Sequence, residues 1–177
     1  MLTLVAVVAL ATFIFCMVHA IVSDALSMTI RNRIPLILVA SFVVFAPVAG
    51  LGWSAIGAHL AVGAAMLALT FALFAAGVMG GGDAKLIAGT SVWVGLALPL
   101  AQYLVWSAML GGLLTLALVL FRISPLAPAT AHLPAFRNFG DRAKGIPYAI
   151  ALGPAALMVL PSSPVGAWAL AVLGLAA

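Results

Sequence analysis

The chain has 177 residues, 67% of them hydrophobic and 6% charged, with seven lysines and arginines against three aspartates and a formal net charge of +4. About a quarter of the residues in an average soluble domain are charged, so this composition excludes an ordinary soluble fold and specifies an all-α, polytopic membrane protein. The basic residues fall in short loops between apolar runs, where membrane orientation accounts for them; the lipid bilayer is the expected partner, and nucleic acid is not.

The first apolar run, residues 2–22, meets the roughly 20 residues that a bilayer crossing needs. It lacks a basic leading segment, and an acid and two arginines follow it, so it reads as a retained span rather than a secretory signal. Within it Cys16, the one cysteine of the chain, reads as a small buried hydrophobe and leaves no internal disulfide or multi-cysteine zinc site. His19 reads as a packing residue near the same helix face as Asp24. Residues 23–33 are polar and hold Asp24, Arg31, Asn32 and Arg33.

Span two is expected over residues 34–49, with Pro35 in its first turn, where a missing N–H does no harm. A short turn follows, and Trp53 suits the membrane interface. Span three, residues 55–78, carries small residues such as Gly57, Gly63 and Ala64 that permit close helix packing. The turn Gly80-Gly81-Gly82-Asp83 leads into span four, residues 84–98, which Pro99 ends. Span five covers residues 103–121. Residues 122–145 look soluble, with three prolines, four basic residues and Asp141; Asp141 reads as a solvated charge. The last apolar block starts at Ile146-Pro147-Tyr148, is interrupted by Pro161-Ser162-Ser163-Pro164, and is taken as one kinked span. The expectation is a single membrane-embedded domain, 1–177, with about six transmembrane helices.

With six spans, the loops after spans one, three and five share one side. They hold every charged side chain of the protein, including Lys85, Arg122, Arg137, Arg142 and Lys144. Lysine and arginine in short loops mark the cytoplasm, so both termini are expected on the non-cytoplasmic side. Asp24 and Asp83 then lie at the cytoplasmic face.

A carboxylate at a membrane boundary is costly to desolvate and is a functional candidate. Two carboxylates a few ångström apart do not both ionise easily; one keeps a proton, and the pair can activate a shared water for attack on a carbonyl. That chemistry is aspartic proteolysis, with Asp24 and Asp83 as the catalytic pair. It calls for no cofactor and no metal, and His19, His59 and His132 have no metal-ligand spacing. Gly80 and Gly82 would let backbone approach closely. Near the start of span four, Asp83 would feel the favourable end of the helix dipole. Lys85 reads as a topological determinant or an ion-pair partner, and Asn32 as a loop hydrogen-bonding residue. Two other classes use the same residues differently: a small proton-coupled carrier or channel with the aspartates as protonation sites, and a non-catalytic assembly factor in which they are dispensable.

The stretch Gly80-Gly81-Gly82-Asp83-Ala84-Lys85-Leu86 resembles the Gly-x-Gly-Asp-x-Lys pattern of the type IV prepilin leader peptidase family. The segment from Asp24 to Ile30-Arg31-Asn32 is similar to the family's first motif, an aspartate before Ile-Pro-Asn, with arginine in place of the proline. Ile146-Pro147-Tyr148-Ala149 resembles the family's late Pro-Tyr segment. The resemblance implies catalytic Asp24 and Asp83, supporting roles for Asn32, Gly80, Gly82 and Lys85, and a site at the cytoplasmic side of the bacterial inner membrane. Longer members carry a methyltransferase domain with a four-cysteine metal site, for which nothing here corresponds. The implied form is therefore the short, peptidase-only one of Flp-type (tight-adherence) pilus systems. Its implied substrate is a prepilin whose basic leader is removed.

Overall fold

The computed structural model describes residues 1–141 and 145–175, and every regular element among them is helical. Arg142 and Lys144, counted above toward the cytoplasmic charge, lie outside the described residues. Five longer helices come first: α1 (Leu2–Ser27), α2 (Arg33–Val48), α3 (Trp53–Ala75), α4 (Gly81–Val94) and α5 (Leu98–Ile123). Two short helices, α6 (Leu126–Ala129) and α7 (Pro134–Gly140), precede α8 (Ala149–Val159), a 3₁₀ turn at Leu160–Ser162, and α9 (Pro164–Val172).

Among the described residues, α1, α3 and α5 are long and apolar enough to cross a membrane. The last block is a fourth crossing if its two halves, bent by 64°, form one broken span. The break follows from the sequence: Pro161 and Pro164 flank it, and the Ser163 hydroxyl caps α9 by accepting from the Gly166 N–H. At 16 and 14 residues, α2 and α4 fall short of the roughly 20 that a full crossing takes. The apolar run expected to reach residue 98 stops being helical at Val94, because Gly95 takes a φ of 73°. Pro99 accordingly sits in the first turn of α5 rather than ending α4.

The short α4 is the centre of the bundle. Ala84 and every residue from Leu86 to Val94 are buried, and apart from Thr90 and Ser91 that stretch is apolar on every side, as a helix inside a bundle must be. It packs against α2, α3 and α8. Two glycines allow the approach: Gly89 lies against the Pro35 backbone of α2, and Gly63 of α3 lies against Val92. Trp93 secures the α2 side, donating from Nε1 to the Leu38 carbonyl at 2.8 Å while its ring packs on Phe13 and Phe42. Thr70 secures the α3 side, its Oγ1 donating to Met66 O at 2.7 Å and reaching Ala84 O of α4 at 3.2 Å. At the far end, His59 Nδ1 donates to Val92 O at 2.8 Å and stacks on Phe42.

In contrast, α3 and α5 bury little of their apolar length and leave Leu67, Phe71, Leu113 and Leu116 exposed, which is the surface a lipid phase requires. The closing helix α8 packs against both α1 and α5, and Gly153 and Gly111 make room for Ile21 and Tyr148. The soluble-looking segment is not detached. Arg122 donates to Phe139 O at 2.7 Å and to Gly145 O at 2.9 Å, and the buried Asn138 donates to Leu26 O at 2.7 Å. These bonds draw α7 over the end of α1.

Candidate active site

The first aspartate is inside a helix rather than beyond one. From the sequence, α1 was expected to end at residue 22; it continues to Ser27, so Asp24 lies in its last turn, only 6% exposed. The helix stops because Met28 adopts a left-handed conformation (φ 54°, ψ 33°), with its N–H donating to Asp24 O at 2.7 Å. Asp24 Oδ2 accepts the Ala149 N–H at 3.0 Å. Ala149 is the first residue of α8, so this carboxylate faces the electropositive end of a helix, where negative charge is favoured.

The second aspartate is also helical. Gly80 caps α4, and Asp83 is its third residue; it had been expected in the preceding turn. The Asp83 carboxylate reaches back to the Gly80 N–H, which is the returning half of a capping box. The flanking glycines serve separate contacts. A Cβ at position 80 would stand 2.7 Å from Asp83 Oδ2, and one at position 82 would stand 3.1 Å from Ile30 Cβ. Gly80 thus leaves room for the acid, and Gly82 leaves room for the segment that joins α1 to α2.

Both carboxylates line one cavity of about 750 Å³, together with Met28, Asn32, Lys85 and Ile146, and they lie close enough for their charges to repel. Lys85 Nζ donates to Asn32 Oδ1 at 2.9 Å. Asn32 caps α2, so this bond ties the second turn of α4 to the start of α2. All six residues singled out from the sequence, Asp24, Asn32, Gly80, Gly82, Asp83 and Lys85, border this cavity. Asp141 is exposed, and His19 stacks on Phe15 instead. Sequence reasoning missed the Ala149 amide, the strained Met28 and the buried Asn138. The first had a visible signal: Pro147 cannot donate, which favours a helix start just beyond it.

A helical bundle with apolar crossings and a carboxylate pair set against two helix N-termini defines a class of membrane-embedded protein. The chain belongs to the type IV leader peptidase family, whose family model matches residues 11–122. That match spans well over half of the chain and includes all six cavity residues named from the sequence, ending before α8. Membership implies a protease with a prepilin substrate. Among curated proteins and solved structures, none significantly matches the chain.

Proposed function

We propose that this protein is an aspartic endopeptidase that removes the basic leader of Flp-type prepilins at the cytoplasmic face of the bacterial inner membrane. The observation that carries the reading is the meeting of Asp24 and Asp83 in one cavity, each facing the N-terminus of a helix. The electropositive helix ends offset part of the repulsion between the acids, each typically by about 0.3–1 kcal/mol. In this reading the two acids share one water across the cavity that both line.

In the proposed cycle the ionised carboxylate takes a proton from the water as its oxygen attacks the scissile carbonyl carbon. The protonated carboxyl gives its proton to the carbonyl oxygen. Collapse of the tetrahedral species transfers a proton to the amide nitrogen, breaks the C–N bond, and leaves the leader with a new carboxyl group. One water is consumed. In this reading the topology has six spans with both termini outside, α2 and α4 being short crossings supported by their neighbours. The exposed Lys85–Asn32 bond then fixes the cytoplasmic end of α4.

The test is co-expression with a prepilin of the same genome, scored by a leader-sized mobility shift. Asp24→Asn and Asp83→Asn are each expected to abolish processing while the protein still accumulates in membranes. Full processing by either variant would eliminate the paired-acid mechanism.

A further inference from the structure

Three buried hydroxyls between α4 and α5 have no part in the aspartate cavity. Thr90 of α4 is 0% exposed, and Tyr103 and Ser107 of α5 are 0% and 6% exposed. The geometry of a hydrogen bond is met at none of the three oxygens, although the Thr90 and Ser107 hydroxyls both lie within interacting reach of Tyr103 Oη. Tyr103 and Ser107 stand one turn apart on one face of α5, and Thr90 meets them from α4.

The way these side chains point is unusual for this protein. A serine or threonine inside an apolar helix readily donates to the carbonyl one turn back. Thr12, Thr70, Ser91 and Thr115 all do so, at 2.7–2.8 Å. Thr90, the neighbour of Ser91, and Ser107 forgo that bond and turn toward the tyrosine instead. An unmet hydroxyl in an apolar interior is costly. Three that converge, each able to give and to take a hydrogen bond, call for an occupant that does both. Polar groups that face each other without bonding are the usual setting of a bridging water, and a buried water typically makes about three hydrogen bonds. A metal ion is the poorer match: all three groups are neutral, and among the described residues no group of three or more His, Cys, Asp or Glu gathers to hold one.

We propose that Thr90, Tyr103 and Ser107 together bind one buried water molecule, which joins α4 to α5. The site lies seven positions beyond Asp83 on α4, about 10 Å at 1.5 Å per residue, and the Asp83 charge is felt at Tyr103. It completes the anchoring of the central helix. Trp93 ties α4 to α2 and Thr70 ties it to α3; the water supplies the polar tie on the α5 side. The proposal stands or falls independently of the proteolytic reading.

Pulsed radiolysis of the full-length protein in lipid nanodiscs, equilibrated with isotopically labelled water, tests it. Hydroxyl radicals form from water already in place and mark the side chain beside it, which mass spectrometry then identifies. Tyr103 is expected to take up the label although it is fully buried. Phe13 and Phe42, equally buried rings in apolar surroundings, should take up none. In Thr90→Val/Ser107→Ala the tyrosine remains as reporter while two of the water's three partners are gone. Labelling of Tyr103 should then be lost, with that of the exposed Trp53 unchanged. An unlabelled Tyr103 in the parent protein would overturn the proposal whether or not the double variant accumulates. Labelling that persists in the double variant would also overturn it, since Tyr103 would then be reached by general solvent. Thermal unfolding in sodium chloride and in choline chloride should coincide; a rise in Tm specific to sodium would assign an ion to the site and remove the water.

Discussion

Asp83 reaches back over its own first turn to the Gly80 N–H, so anything attached to the Gly80 α-carbon competes with the carboxylate for space. The backbone at Gly80 (φ −71°, ψ 139°) suits any residue, and the atom in the way is the far end of a side chain. Gly80→Ala should therefore fold, with stability within about 0.5 kcal/mol of the parent. Under the proposed mechanism Asp83 is a reacting group, and because a displacement of about 1 Å in such a group can cost about a hundredfold in rate, the variant's kcat in precursor cleavage should fall by that order. Met28 presents the opposite case. A left-handed conformation costs an L-residue about 1–2 kcal/mol, and glycine is the usual occupant of such a helix end. Met28→Gly should stabilise the protein by about 1 kcal/mol, read as a rise of roughly 2–4 °C in thermal unfolding in detergent. At this scale the acids and glycines were legible because their residue types are rare or special in so apolar a chain. Met28 was not, since nothing in its side chain announces a left-handed backbone.

The central α4 is held by contacts that reach it from other helices. Gly89 is the sharpest test, because a Cβ there would stand 3.2 Å from Pro35 Cα and 3.3 Å from Pro35 O, both backbone atoms. Neither can swing away, so Gly89→Ala should separate α2 from α4 and destabilise by about 1–3 kcal/mol, the usual range for overpacking. Chemical or thermal unfolding in detergent measures it. At the end of the bundle covered by α7, Asn138→Leu would remove the donor to Leu26 O. Loss of an intramolecular hydrogen bond costs about 0.5–1.5 kcal/mol, and faster limited proteolysis between residues 126 and 141 should report the release of α7. Helix existence was legible from apolar runs, whereas helix ends were not. The stop at Val94 comes from the Gly95 backbone, and the extension of α1 to Ser27 buries Asp24 against α8; both are set by tertiary partners. Trp93 was likewise unremarkable in sequence, although its indole joins α4 to α2.

For the molecule as a whole, apolar composition made the membrane class plain, while the number of crossings depends on how α2, α4 and the bent last pair sit in lipid. Six spans place the turn before α3 outside and the segment after α5 inside. With Cys16 buried, single new thiols report side directly. Ser54→Cys should react with a membrane-impermeant maleimide in intact cells, and Ala131→Cys only after permeabilisation. Labelling of both from the same side would rule out the six-span arrangement. The bond between Asp24 and Ala149 joins residues 125 positions apart, and this separation has a bearing on biosynthesis. When translation has delivered both acids to the membrane, the amide that steadies the first of them has yet to be made. A nascent chain therefore carries Asp24 without its α8 partner until that helix has left the ribosome, and under the proposed mechanism proteolytic competence follows only then.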